Sequence, residues 1–329
     1  MKAVVNDGQC RLIAEKFMPL KFRESMLKRD FLTFPADTET RLRAILFSSA
    51  ICHQTYSLFN KEKNLKGWDF LESVYTELMK QNSLFMDPVY LSGQQDKELA
   101  ERLRELFTID GECTLDRREE RAGFLIDISR LLVHKYSARV ENLLAASGGF
   151  LINNGHGLYE LLEEFYPFSD PLKKKSSLVV KFATESGIWM PRDMENFVPI
   201  MDYHMQRVLL RTGCIEVLDK GMKESLLTKK PVDSDDEIRI AAIDAVKKLS
   251  SFSGRNLMEL ERFLWSLGRS CCNEKTLCTD GLCNRTPCTF FAFVEQKSHE
   301  KCVLEGVCKG NLNDEYRRYW QPMLETHFY

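Results

Sequence analysis

The chain has 329 residues, 44% hydrophobic and 29% charged, with a formal net charge of −2; that length supports a large core in one or two domains, and the composition is ordinary for a globular protein. Near-neutrality weighs against a protein that grips duplex DNA mainly through its phosphates, which calls for a basic surplus, although a local patch would suffice. No apolar run reaches the roughly 18 residues of a membrane-spanning helix, and MKAVVNDGQCRLIAEKF turns polar after Val5 without the apolar centre of a secretory signal, so a cytoplasmic protein without a membrane partner is expected, nuclear if the source is eukaryotic.

In chain order, helical amphipathicity runs through 38–59 (TETRLRAILFSSAICHQTYSLF), 67–81, 97–107, 121–136 and 157–165. Within the first of these, continuing to Phe70, His53, Gln54, Trp68 and Asp69 are residue types that read a base edge by hydrogen bonding and stacking; core packing is the plainer alternative. In SDPLKKKSSLVVKFATESG (169–187), Leu178, Val179 and Phe182 predict a helix beginning near Pro171. Lys173, Lys174 and Lys175 then fall in its first turn, against the helix dipole. That placement points to an anionic ligand or to a lysine of lowered pKa, against the alternative of a solvated basic patch.

VPIMDYHMQRVLLRTG (198–213) places Asp202 before a helix whose Met205, Val208 and Leu209 share one face, with Arg207 and Arg211 on another. As pure structure this is an N-cap aspartate and a solvated arginine face. The clearest helix is SDDEIRIAAIDAVKKLSSFSG: Ile238, Ala241, Ala242, Ala245, Val246 and Leu249 recur on one face, Ser234 and Glu237 have capping-box spacing, and Gly254 follows as a stop. An apolar helix then ends at WSLG. Turn-rich breaks lie near 85–88, 148–157, 167–171 and 190–193, and 280–299 is loop-like. With no run of alternating strands and no βαβ rhythm, the expected class is all-α. The expected organisation is a helical N-terminal region over 1–150, with a role in forming a pocket, a helical core over 151–265, and a cysteine-rich loop and tail over 266–329.

Of eleven cysteines, seven fall between Cys271 and Cys308. In a reducing compartment such crowding points to metal ligation rather than disulfides. Cys271-x6-Cys278 and Cys302-x5-Cys308 are the short spacings, and a four-thiolate site for zinc or a [4Fe–4S] cluster fits. Cys272, Cys278, Cys288, Cys302 and Cys308 are the candidate ligands; which four bind stays open.

MDYHMQRVLLR carries Asp202, His204, Arg207 and Arg211 in the register of the Val-Asp-Thr-His-x-x-Arg-x-x-x-Arg stretch of the helix-hairpin-helix DNA glycosylase superfamily, endonuclease III type. That family also places Gly-Arg and C-x6-C-x2-C-x5-C after an apolar helix, and here Gly268-Arg269, Cys272 and Cys302-x5-Cys308 follow. The resemblance covers roughly residues 150–310, and DPLKKKSS looks like the lysine segment of the archaeal 8-oxoguanine glycosylases. It implies a helix-hairpin-helix bundle with an iron–sulfur loop, a carboxylate (Asp202) that assists base loss, an amine (Lys175) that attacks C1′ of the sugar, and Arg207 near the substrate. The implied activity is an N-glycosylase, with or without a lyase step, releasing a modified base from DNA and needing no obligate protein partner.

The chain departs from that pattern in three places. No Leu-Pro-Gly-x-Gly hairpin precedes Lys175, His299 stands where a cysteine of the pattern would precede Cys302, and from Arg255 onward ten basic residues meet ten acidic ones. These departures admit two alternatives. One is hydrolysis of a free modified nucleoside or nucleotide, since MDYHMQR is also similar to the Asp-Tyr-Arg stretch of queuosine-salvage enzymes. The other is a non-catalytic nucleic-acid-binding module.

Overall fold

In the computed structural model, which describes residues 2–24, 28–296 and 298–329, the helical periodicities become a predominantly helical protein. Among the described residues the strands form three antiparallel pairings: Ala3–Val5 with Ile215–Val217, Phe59–Asn60 with Leu65–Lys66, and Thr108–Ile109 with Glu112–Cys113. The chain forms two compact units, Met1–Met26 with Pro199–Glu325, and Leu27–Val198 with Thr326–Tyr329. The boundaries expected at 150 and 265 therefore fall inside units, the second within the Leu257–Arg269 helix. Among the described residues no helix is long and apolar enough to cross a membrane.

In the unit containing 199–325, the Asp7–Phe17 helix packs along Asp236–Ser253. The six apolar positions expected on one face of that longer helix are all buried, and Gly254 ends it in the left-handed conformation. The capping box does not form: Asp235 is the N-cap, and Ser234 instead accepts from the Asp236 amide. Helices Tyr203–Thr212 and Leu257–Arg269 cross so closely that a Cβ at Gly268 would stand 2.6 Å from the His204 carbonyl oxygen. The glycine of the Gly268-Arg269 pair is there to let two backbones approach.

In the unit containing 27–198, Thr38–Ala50 packs on Trp68–Lys80, Val140–Ala146 and Lys174–Glu185. Buried Glu39 accepts from the Val140 and Glu141 amides at 2.9 and 3.0 Å, capping a helix remote in sequence while it pairs with Arg43. The amphipathic stretch expected to continue to Phe59 stops at Ala50. His53 and Gln54 consequently sit in a turn, Gln54 with a positive φ of 44°, rather than on a helix. Likewise the lysine helix starts at Lys174, because Lys173 adopts the left-handed conformation as its N-cap.

Candidate functional site

The turn after Ala50 and the first turn of the lysine helix meet inside the second of these units. Asp170, fully buried, accepts from the Leu172 and Lys174 amides, which fixes the entry to the helix and turns Lys174 and Lys175 inward. Lys175 has no exposed surface. Its Nζ donates to the Ala50 carbonyl, lies 3.4 Å from His53 Nδ1 and stands 4.9 Å from the centre of the Phe124 ring. Lys174 Nζ reaches Cys52 Sγ at 3.1 Å. Burial holds the Lys175 amine well below the ordinary lysine range, Lys174 and Arg121 adding to the shift while Cys52 opposes it.

His53 is equally buried, and its pKa is driven down by desolvation and then by Lys175 and Arg121, so the imidazole is neutral. Its tautomer follows from its neighbours. Arg121 Nη1, which can only donate, lies 3.5 Å from Nδ1, so Nδ1 accepts and the proton resides on Nε2. That Nε2 is buried without a hydrogen-bond partner, the Glu120 carboxylate standing 3.7 Å away. Lys175 Nζ thus has the Ala50 carbonyl and the His53 ring as its polar neighbours. Phe124, Tyr166 and His327 form an aromatic wall beside it, with His327 stacked on Tyr166 at 4.8 Å.

The other residues expected to contact substrate have structural partners. Gln54 accepts from Arg117 at 3.0 Å, and its amide donates to the Tyr329 carbonyl. Trp68 stacks on Phe182 and donates to Glu72, and Asp69 lies in the first turn of the Trp68–Lys80 helix, where a carboxylate suits the dipole. Of the four residues expected to read a base, only His53 contacts the buried lysine.

Asp202 and Arg207 belong to the other unit. Asp202 is the N-cap of Tyr203–Thr212, accepting from the Met205 amide at 3.0 Å, and is nearly buried. The expectation of a solvated arginine face is overturned: Arg207 and Arg211 are 1% and 4% exposed. Arg207 donates to the Gly268 and Cys272 carbonyls and to Gln321, contacts His204, and lies over the Trp320 ring. Arg211 donates to the Tyr319 and Asn273 carbonyls and approaches Cys272 Sγ at 3.7 Å. The two side chains stitch the cysteine segment and residues 319–321 onto one helix. An i, i+4 pair of arginines reads as solvated only while nothing is known to cover it, and here carbonyl-rich loops fold over it.

In the same unit, Cys271, Cys283, Cys288 and His299 offer ligand atoms all within 4.8 Å of one another, the single group of this kind among the described residues. Cys271 Sγ lies 3.6 Å from Cys288 Sγ and 3.4 Å from His299 Nε2. The Phe291 amide donates to Cys288 Sγ at 3.4 Å, and Phe291 stacks on the His299 ring. Hydrogen bonds from Cys271 and from that amide hold the Cys288 thiol down to about 5, while its partner Cys271 is raised. This group can hold a metal ion. Of the five cysteines expected as ligands it contains only Cys288, and Cys271, Cys283 and His299 were not among them. The signal for His299 was its place three positions before Cys302, with two residues between, where a ligand was expected. Nothing in the spacing distinguished Cys271 from Cys272.

Of the remaining four expected ligands, two meet Arg211. Cys272 meets its guanidinium and Cys308 Sγ donates to its carbonyl oxygen at 3.6 Å. Cys302 and Cys308 are raised by burial first, and then by the charges of Cys272 and Cys278. Neither a protein-family model nor a curated protein matches the chain.

Proposed function

We propose that this protein cleaves an N-glycosidic bond, with Lys175 as the attacking amine, acting on a modified base in DNA. The observation that supports it is the fully buried Lys175 amine, held well below the ordinary lysine range beside a neutral imidazole. In this reading Nζ bonds to C1′ of the sugar, the C1′–N bond breaks with its electron pair leaving on the base, and the proton lost by the amine goes with the departing base, while neutral His53 holds Nζ in place. If the substrate is DNA, its base must be flipped out of the stack to be attacked. Asp202 retains the carboxylate role that the sequence resemblance implies, and its assignment rests on that resemblance alone.

A second reading is favoured by the complete burial of Lys175 together with the net charge of −2. An enclosed nucleophile on a chain without a basic surplus also suits a free modified nucleoside or nucleotide. For the cofactor, we assign a [4Fe–4S] cluster to Cys272, Cys278, Cys302 and Cys308. Two of these thiols meet Arg211, the charges of Cys272 and Cys278 act on Cys302 and Cys308, and the four would hold the cluster in a structural role.

Borohydride trapping on DNA with an abasic site separates the readings. A covalent adduct is expected with the wild-type protein and none with Lys175→Ala, whose fold is checked by circular dichroism. An adduct that persists in Lys175→Ala removes the lysine from the mechanism. Base release from a panel of modified nucleotides, without trapping and without steep salt dependence, favours the free-nucleotide reading.

A further inference from the structure

Seven cysteines and one histidine crowd the stretch from Cys271 to Cys308, and the structure distributes them unevenly. Cys271 and Cys272 are adjacent in sequence, yet their thiols have different neighbours. Cys271 meets Cys288 and His299, whereas Cys272 meets Arg211. The backbone enforces this split. The Cys272 amide reaches back to the Leu267 carbonyl, and the Cys271 carbonyl accepts from Leu277, so the chain turns sharply between two consecutive side chains. Asn284 and Thr289 are then tied to Ser270, through its carbonyl and hydroxyl respectively, which brings Cys283 and Cys288 back to Cys271.

The spacing within the Cys271 group matches one ion. Four ligands at zinc–sulfur and zinc–nitrogen lengths of about 2.3 and 2.0 Å around a tetrahedral centre stand roughly 3.5–3.8 Å from one another. The observed 3.6 Å and 3.4 Å separations are of that size, and no pair in the group exceeds 4.8 Å. A four-iron cluster binds each thiolate on a different iron and so needs its ligands farther apart. A disulfide is not formed, since all eleven cysteines are free. Three soft sulfurs and an imidazole are a donor set zinc prefers. The Phe291 amide on Cys288 Sγ and the Phe291 ring against His299 supply the surrounding contacts that orient metal ligands.

We infer that Cys271, Cys283, Cys288 and His299 form a closed, tetrahedral, mononuclear zinc site separate from the Cys272, Cys278, Cys302 and Cys308 set. All four positions are occupied by protein, so the site is structural rather than catalytic. Its task is to pin the stretch between Cys283 and His299, which contains the short Thr289–Phe293 helix, to the end of the Leu257–Arg269 helix. Phe290, Phe293 and Val294 already anchor the middle of this segment in the core, and a metal cross-link would fix its two ends, at Cys283 and His299.

The inference does not depend on the glycosylase reading, and it is tested on the full chain expressed with both iron and zinc available, its metals counted by mass spectrometry. One zinc per chain is expected in the wild type. In Cys283→Ser combined with His299→Ala zinc should fall at least tenfold with iron unchanged. Absence of zinc from the wild type, zinc unchanged in the double variant, or loss of iron in step with zinc overturns the separation of the two sets. Because ligand loss can unfold the segment, a conservative variant keeps the test decisive. His299→Cys protein produced with cobalt(II) should keep the tetrahedral absorption bands, with sulfur-to-metal charge transfer about a third stronger for four thiolates instead of three. A cobalt spectrum identical to that of the wild type excludes His299 as a ligand. Failure of Lys175 trapping would leave each of these outcomes intact.

Discussion

Both units bury cations, and they treat them in opposite ways. Arg207 in one unit gives its protons to two backbone carbonyls and a glutamine, with a tryptophan ring beneath it. Burial lowers it only to about 10, so it stays charged. Lys175 in the other unit has one carbonyl and one imidazole nitrogen, and the neighbouring His53 Nε2 has no hydrogen-bond partner. A buried cation that is fully bonded keeps its charge, whereas one with few acceptors has its pKa pushed down. The difference lies in the local supply of acceptors, since burial is nearly the same.

The sharpest way to break this comparison is activity. Lys175→Ala should lower base release on the order of 10^4–10^6-fold, the scale of removing a covalent nucleophile. Arg207→Ala should act on folding instead. Stranding the Gly268 and Cys272 carbonyls costs about 3–5 kcal/mol, the scale of breaking a buried hydrogen-bonded charge network. That loss is read from denaturant midpoints, and a full loss of trapping in folded Arg207→Ala protein would place this arginine in the chemistry after all.

The pH dependence of stability sharpens the contrast further. Lys175 in the folded chain has its pKa lowered, so between that value and the ordinary one near 10.4 the unfolded chain binds the extra proton and stability rises with pH. Lys175→Met removes this slope. The variant should therefore gain on the wild type in urea midpoints more at about pH 7 than at about pH 9.5, and parallel profiles would show the lysine to be charged in the fold.

The smallest effect concerns Asp202. As an N-cap it should be worth about 0.5–2 kcal/mol, so Asp202→Asn, which keeps a capping oxygen, should leave stability nearly unchanged and Asp202→Ala should lose that amount. Loss of base release in the stable Asp202→Asn protein is the result expected of a catalytic carboxylate. Retained activity in that variant reduces Asp202 to its cap.

Much of the fold was legible in the sequence. The 3.6-residue apolar repeat located the helices, and the buried face of Asp236–Ser253 is the one its periodicity named. Element ends were less legible. Ala50 ends its helix although apolar residues continue, because the chain must turn there to bring His53 to Lys175. The lysine triplet was rightly conspicuous against the helix dipole, but local sequence could not rank its members. Lys173 is at the cap paired with Glu163, Lys174 reaches Cys52, and only Lys175 is fully enclosed.

By itself, the sequence determined the helical class, the capping aspartate at 202 and the presence of a thiol-rich segment, all of which depend on residues within a few positions of one another. The tertiary structure alone decided which cations are satisfied and which cysteines share a centre. Arg207 is bonded by residues 61 to 114 positions away, and Cys271 is grouped with His299, 28 positions on, rather than with its neighbour Cys272. Desolvation and ligation depend on what the folded chain brings near, and no local pattern encodes that.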